Sequence, residues 1–193
     1  MKKALIAGAA SVALAAMPVV GVFAELSDQT SVEDTVQLTV QKTCKMQAEQ
    51  ASGTYNLGTF TAGNGYTETT GTPMTLTCNA QAGWTLSAAV NAMTASGTDQ
   101  TIPFGALGTT TSVWSAKIAV TGSDAGNAQV ATGWDDYTAT TGGTILSAKG
   151  EAGAKKAVNA IVVTPSYDAY AAANQAAGSY SAKITYTFAD LTQ

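Results

Sequence analysis

Two cysteines constrain the fold of this chain more than any other feature of its sequence. Cys44 and Cys78 are its only cysteines, and both lie in segments in which apolar and polar residues alternate. Residues 35–41 alternate without interruption, and Met74, Leu76 and Cys78 share one face of the second segment. Such alternation is typical of antiparallel strands with one buried and one solvent-exposed face.

The first 24 residues are predicted to be a cleaved signal peptide. Lys2 and Lys3 form a basic start, and residues 4–16 form a short apolar run. Residues 22–24 then match a small-x-small cleavage site. A membrane anchor is the alternative, but the run is short, is broken at Pro18 and has no stop-transfer charges after it. We therefore expect a secreted protein, extracellular or attached to the cell surface.

The mature chain is expected to form one domain. Removing the first 24 of the 193 residues leaves 169, a length typical of a single domain. Residues 25–34 are predicted to be a polar N-terminal arm, and residues 35–193 a single β-sandwich with an irregular Gly/Ala/Thr-rich insertion around 121–153. No segment of the mature chain approaches the run of about 20 apolar residues that a membrane span needs.

The state of the two cysteines has two interpretations. One is a disulfide, and the other is a pair of free or metal-binding thiols. Two cysteines without histidine make a poor metal site, and the chain contains no histidine. Export also favours oxidation. The sequence therefore predicts a Cys44–Cys78 disulfide between neighbouring strands, worth about 3.7 kcal/mol in the chain-entropy model.

Alternating segments recur along the rest of the chain. They predict strands at residues 35–43, 55–60, 74–78, 84–88, 113–120, 157–164 (with Pro165 as its end) and 180–188. About seven to nine strands joined by turns indicate an all-β, antiparallel sandwich. Trp84 and Trp114 are in phase with apolar neighbours, so we expect both to lie in the core.

Several classes of function are disfavoured by what the composition lacks. Histidine and arginine are absent, which removes the commonest general base and the bidentate clamp for phosphate or carboxylate. Acidic residues outnumber basic ones by 13 to 9, which argues against a nucleic-acid partner. No glycine-rich nucleotide motif is present. We therefore expect neither an enzyme nor a cofactor.

One irregular acidic stretch contains the only candidate ligand contacts. Trp134, Asp135 and Asp136 lie in the predicted insertion, where an exposed tryptophan could stack on a glycan. Asp124 and the two neighbouring aspartates could bind calcium, although their spacing does not match an EF-hand loop. The default interpretation is a solvated acidic loop, and no metal site is predicted. A carboxylate-only hydrolase is a remote alternative.

The order of these segments resembles one known family. An alternating strand ending at Cys44, the segment YNLGTFT, the strand pair TPMTLTCNAQAGWTLS and the final strand GSYSAKITYTF are similar to spore-coat-U and chaperone–usher pilin domains. The resemblance covers about residues 35–90 and 178–189. It implies a secreted immunoglobulin-like sandwich with one disulfide between two early strands.

The same resemblance raises the question of assembly. Pilin subunits have an incomplete sandwich and lend an N-terminal strand to a neighbour, and their penultimate residue is a tyrosine where this chain has Thr192. A strand near the mature N-terminus can complete its own sandwich or be lent, because the same hydrogen bonds and pockets serve both. From the short polar arm and Thr192, we predict a self-complete fold that is monomeric when isolated.

The functional expectation is a secreted, non-catalytic structural or adhesive protein of the cell surface, with cell-surface or self-assembly protein partners. The alternative is an extracellular glycan- or protein-binding module that uses the loops near Trp134.

Overall fold

The computed structural model describes residues 35, 37–50, 52–63, 68–80, 82–149 and 158–191. The predicted signal peptide and polar arm lie outside these residues. Contacts divide the chain into residues 1–39 and residues 40–193. The described residues of the first unit belong to no helix or strand. None of the described residues forms a helix long and apolar enough to cross a membrane.

Twelve strands and one short 3-10 helix, Ala125–Asn127, make up the regular structure of the described residues. The strands are β1 (Cys44–Ala48), β2 (Thr69–Thr70), β3 (Met74–Cys78), β4 (Trp84–Val90), β5 (Met93–Ala95), β6 (Thr101–Ile102), β7 (Val113–Thr121), β8 (Ala128–Val130), β9 (Gly143–Ala148), β10 (Val158–Tyr170), β11 (Tyr180–Ser181) and β12 (Ile184–Asp190). The predicted all-β fold is therefore confirmed.

The strands form two larger sheets and one small one. In the first, β1 pairs with β3, β3 pairs with β10, and β10 also pairs with β2 and β7. The second has the order β12-β4-β9-β8, and the small sheet has the order β11-β5-β6. Every pairing between these strands is antiparallel, as the alternating pattern predicts.

One apolar core is shared by the two larger sheets. β3 buries Met74, Leu76 and Cys78 at alternate positions, which confirms the predicted phase of that strand. Trp84 on β4 is fully buried, and Trp114 on β7 is 3% exposed, so both predicted core tryptophans are confirmed. Fully buried aromatic and aliphatic side chains of this kind supply most of the stability of such a core.

The first predicted strand is wrong. Among residues 35–43, every described residue lies outside the strands, and β1 begins only at Cys44. Leu38 is 87% exposed and Val40 is 72% exposed, while Val36 lies outside the described residues. Alternation shows that a segment can cover an apolar surface, but a strand also needs a neighbouring strand with which to pair.

The second predicted strand, at residues 55–60, is also wrong. Asn56 Oδ1 accepts a hydrogen bond from the Gly58 N–H at 2.8 Å, and Gly58 has a φ of 93°. This side-chain turn, with its left-handed glycine, interrupts the extended backbone. Three residues of the segment still pack against the core: Tyr55, Leu57 and Phe60.

Strand β10 continues beyond its predicted end at Pro165. The Pro165 carbonyl accepts a hydrogen bond from the Gly71 N–H at 2.8 Å. In an antiparallel strand the nitrogen of a residue points to the same side as its carbonyl. On that side β10 faces residues 71–73, which lie between β2 and β3 and belong to neither strand. No ladder bond is needed there, so the proline is tolerated.

Two segments expected to be irregular contain short regular elements. Residues 91–106, for which the alternating pattern predicts no strand, include β5 and β6. The described part of the predicted insertion, residues 121–149, includes the 3-10 helix, β8 and β9. These strands are short or rich in small polar residues, so their alternation is too weak to see in the sequence.

Candidate functional site: an open edge between two sheets

The predicted disulfide is confirmed and fixes one edge of the fold. Cys44 and Cys78 lie directly opposite each other in the antiparallel pair of β1 and β3, and their sulfur atoms are bonded. Cys78 is 1% exposed, while Cys44 is only half-buried. The bond therefore holds β1, an outer strand, against the strand that carries part of the core.

Strands β1 and β12 are both edge strands. Among the described residues, β1 pairs with β3 alone, and β12 pairs with β4 alone. A strand with an unpaired edge exposes backbone donors and acceptors that can pair with another extended chain. The two edge strands belong to different sheets and approach each other, since the Lys42 ammonium lies 2.5 Å from the Asp190 carboxylate.

The apolar face of β12 is incompletely covered. Ile184, Tyr186 and Phe188 all pack against the core, yet each is only partly buried. Their register partners on β4 include Ala88 and Leu86, which are 2% and 0% exposed. The burial of apolar side chains thus decreases from the inner strand to the outer strand.

Partly exposed apolar side chains also lie on the opposite edge. Met46 on β1 is 38% exposed, and the side chains of Tyr55 and Leu57, further along the same edge, are half-buried. We call the partly exposed apolar side chains of these residues and of β12 the open edge. An extended segment with apolar residues at alternate positions matches the unpaired edge of β12, whose apolar residues also alternate.

A group of tyrosines lies at the open edge. The ring centroids of Tyr55 and Tyr167 are 5.3 Å apart, and the hydroxyls of Tyr167 and Tyr186 are 3.2 Å apart. Burial raises the pKa of both the Tyr167 and the Tyr186 hydroxyl above the usual value of 10.0. The phenols of Tyr167 and Tyr186 therefore stay neutral near neutral pH and act as hydrogen-bonding parts of an apolar surface.

The residues predicted as ligand contacts are not arranged as a binding platform. Trp134 is 3% exposed, and its ring stacks on Phe104 with a centroid separation of 5.8 Å. The ring is therefore not exposed for stacking on a glycan. Asp135 is exposed, and Asp136 accepts hydrogen bonds from the Thr138 N–H and hydroxyl at 3.2 and 2.6 Å. Asp136 thus stabilises its own turn.

A shallow groove lies beside this turn, and half of the residues that line it are threonines. Five threonines line it: Thr132, Thr138, Thr140, Thr141 and Thr144. With the Trp134 ring buried, the groove has no exposed aromatic face on which a sugar could stack. Over the described residues, no group of three or more acidic, cysteine or histidine side chains is placed to hold a metal ion.

One polar cluster has no counterpart in the sequence analysis. The Lys117 ammonium lies 2.9 Å from a Glu68 carboxylate oxygen and 4.5 Å from the centre of the Tyr137 ring. The hydrogen bond from Lys117 holds the pKa of Glu68 below its usual range. The Ser115 hydroxyl donates to the Tyr137 carbonyl at 3.2 Å. These contacts attach the loop that carries Tyr137 to β7, and we assign them a structural role.

The sequence pattern could not identify the polar cluster or the open edge. The Lys117–Glu68 pair is separated by 49 residues and follows no motif. The open edge exists because one side of β12 has no neighbouring strand among the described residues. The alternation of apolar and polar residues does not show which strands are neighbours. The one signal available was the apolar alternation of residues 35–41, which has no partner of its own among the described residues.

Comparison with known proteins identifies no family for this chain. No protein-family model matches it, and no curated protein matches it.

Proposed function

We propose that this protein is a secreted, non-catalytic structural subunit that assembles at the cell surface. In this proposal, residues 35–41 of one copy enter the open edge of another copy. The single observation that carries it is the exposure of Leu38 and Val40, in a chain whose edge strand β12 has an incompletely covered apolar face.

The two surfaces have matching periods. Residues 36, 38 and 40 are apolar and alternate with polar residues. Ile184, Tyr186 and Phe188 alternate in the same way on β12. Strands in register share a period of two residues, so one added strand can bring both apolar sets together. Strand addition at a sheet edge uses backbone hydrogen bonds for affinity and alternate side chains for specificity.

Exposed apolar side chains in a monomer support the same conclusion. Large apolar residues that stay exposed together commonly mark an interaction surface. Four large apolar side chains are exposed among the described residues: Leu38, Val40, Met46 and Leu191. Two of them belong to the proposed donor segment, and Met46 lies on β1 at the open edge.

The resemblance to pilin domains adds to this argument. From the sequence we predicted a self-complete monomer, with strand lending as the alternative. The exposure of Leu38 and Val40 favours the alternative, because a self-complete sandwich would bury these side chains. The buried Trp134 ring removes the aromatic contact on which the glycan-binding hypothesis depended, so we do not propose that function.

Sedimentation of the mature chain tests the proposal. We expect oligomers whose size increases with protein concentration and which disappear when residues 25–40 are deleted. Leu38→Asp should abolish assembly because it would bury a charge in the open edge. The matched control, Gln37→Asp, changes the opposite face of the segment and should assemble normally. A wild-type chain that stays monomeric at all concentrations and binds no peptide of residues 35–41 would refute the proposal.

A further inference from the structure

We infer that Asn79 is a positioning residue for strand lending, which holds residues 41–43 so that the lent segment begins from a fixed point. This inference rests on the proposed function. It assigns a role in the donor copy, whereas the open edge belongs to the acceptor copy.

Asn79 makes three hydrogen bonds to this short stretch. Its backbone N–H donates to the Thr43 carbonyl at 3.0 Å. Its side-chain Oδ1 accepts from the Thr43 N–H at 2.6 Å, and its Nδ2 donates to the Gln41 carbonyl at 2.9 Å. Asn79 follows Cys78 and Thr43 precedes Cys44, so these bonds extend the β1–β3 pair beyond the disulfide.

An ion pair attaches the same stretch to the second sheet. Lys42 lies between the two residues that Asn79 holds, and its ammonium is 2.5 Å from the carboxylate of Asp190 at the end of β12. The side chains are 50% and 28% exposed, and exposed ion pairs stabilise weakly. We therefore assign the main positioning role to Asn79. Beyond Gln41, Val40 and Leu38 are exposed.

Because Asn79 lies outside the core, its role in positioning can be tested without damage to the fold. Asn79 is exposed, so its replacement leaves no unsatisfied polar group in the core. Both of its side-chain hydrogen bonds go to residues 41 and 43. Without them, residues 41–43 would have to be ordered when the segment binds, and this ordering would oppose assembly. We expect Asn79→Ala to weaken assembly about tenfold.

The experiment compares two measurements on the full mature chain. Assembly is measured by sedimentation, and acceptor function is measured by the binding of a synthetic peptide of residues 35–41 at concentrations where the chain is monomeric. Asn79→Ala should weaken assembly about tenfold and leave the peptide Kd unchanged. The free peptide is not attached to residues 42–43, so Asn79 has no part in positioning it. A change at Asn79 that merely damaged the fold would weaken both.

Two further variants make the assignment specific. Asn79→Asp keeps an acceptor for the Thr43 N–H but loses the donor to the Gln41 carbonyl, so its assembly should be intermediate. Asn91→Ala is the matched control, since Asn91 is exposed and binds the Trp114 indole through its backbone carbonyl. Hydrogen exchange at the Thr43 amide should be slow in the wild type and fast in Asn79→Ala.

The possible results distinguish this inference from the function on which it rests. If the wild-type chain neither assembles nor binds the peptide, the proposed function fails. If the wild type assembles and Asn79→Ala assembles equally well, the positioning role fails and the proposed function stands. A loss of peptide binding that equals the loss of assembly would also overturn the positioning role.

Discussion

Replacing two leucines by alanine provides the most direct test of where the first alternating segment lies. Leu86 on β4 is fully buried in the core, so Leu86→Ala should lower the free energy of unfolding by about 2–5 kcal/mol. For a chain of this size that corresponds to a fall in Tm of about 4–20 °C. Leu38 is 87% exposed, so Leu38→Ala should change the stability of the dilute monomer by at most about 0.5 kcal/mol.

Leu38→Ala should weaken assembly, although it leaves the stability of the monomer nearly unchanged. Burying a leucine side chain at an interface contributes about 1.5–3 kcal/mol. Alanine retains part of this contribution, so Leu38→Ala should lose about 2 kcal/mol, which is close to a thirtyfold weaker association. Calorimetry of dilute protein measures the first quantity, and sedimentation measures the second. A Tm of the monomer that falls as far in Leu38→Ala as in Leu86→Ala would show that Leu38 packs inside its own sandwich.

Three other changes test the fold. Cys78→Ala removes the disulfide and should lower the free energy of unfolding in urea by about 2–5 kcal/mol; an unchanged midpoint would contradict a stabilising role for the bond. Ile184→Asp places a charge on the core-facing side of β12 and should lower Tm, whereas Lys183→Asp, just before that strand, should not; equal Tm values would show that the assigned face is wrong. Burial raises the pKa of Tyr167 and Tyr186, so the folded state retains protons that the unfolded state releases above about pH 10. Stability should be unaffected by these groups below that pH and fall above it, and both tyrosines should ionise only as the protein unfolds, as measured by tyrosinate absorbance.

The sequence predicted correctly those strands whose residues alternate and which also have a neighbouring strand on each side. β3 and β4 each bury alternate residues of the predicted phase, because central strands have neighbours on both sides. The disulfide was also predictable, since two cysteines in a chain that is expected to be exported and has no histidine leave few alternatives.

The errors have a common physical cause. A period of two residues shows which side chains share a face, but pairing decides whether a segment forms a strand and whether that face is buried. Residues 35–43 have a clear period and no strand partner among the described residues, while residues 55–60 are interrupted by the turn at Gly58. The burial of Trp134 did not follow from the sequence pattern, because it depends on a contact with Phe104, which is distant in the chain.

The junction at residues 41–43 also bears on whether the segment completes its own fold or another copy's. β1 starts near the end of β12, where Lys42 meets Asp190. To pair with β12 of its own chain, the segment before Gln41 would have to reverse direction immediately. Thr39 and Val40 are β-branched, and glycine, proline, asparagine and aspartate are all absent from residues 35–43, so the residues that favour a tight turn are missing. Pairing with a second copy requires no reversal, because the segment can continue in the direction of β1.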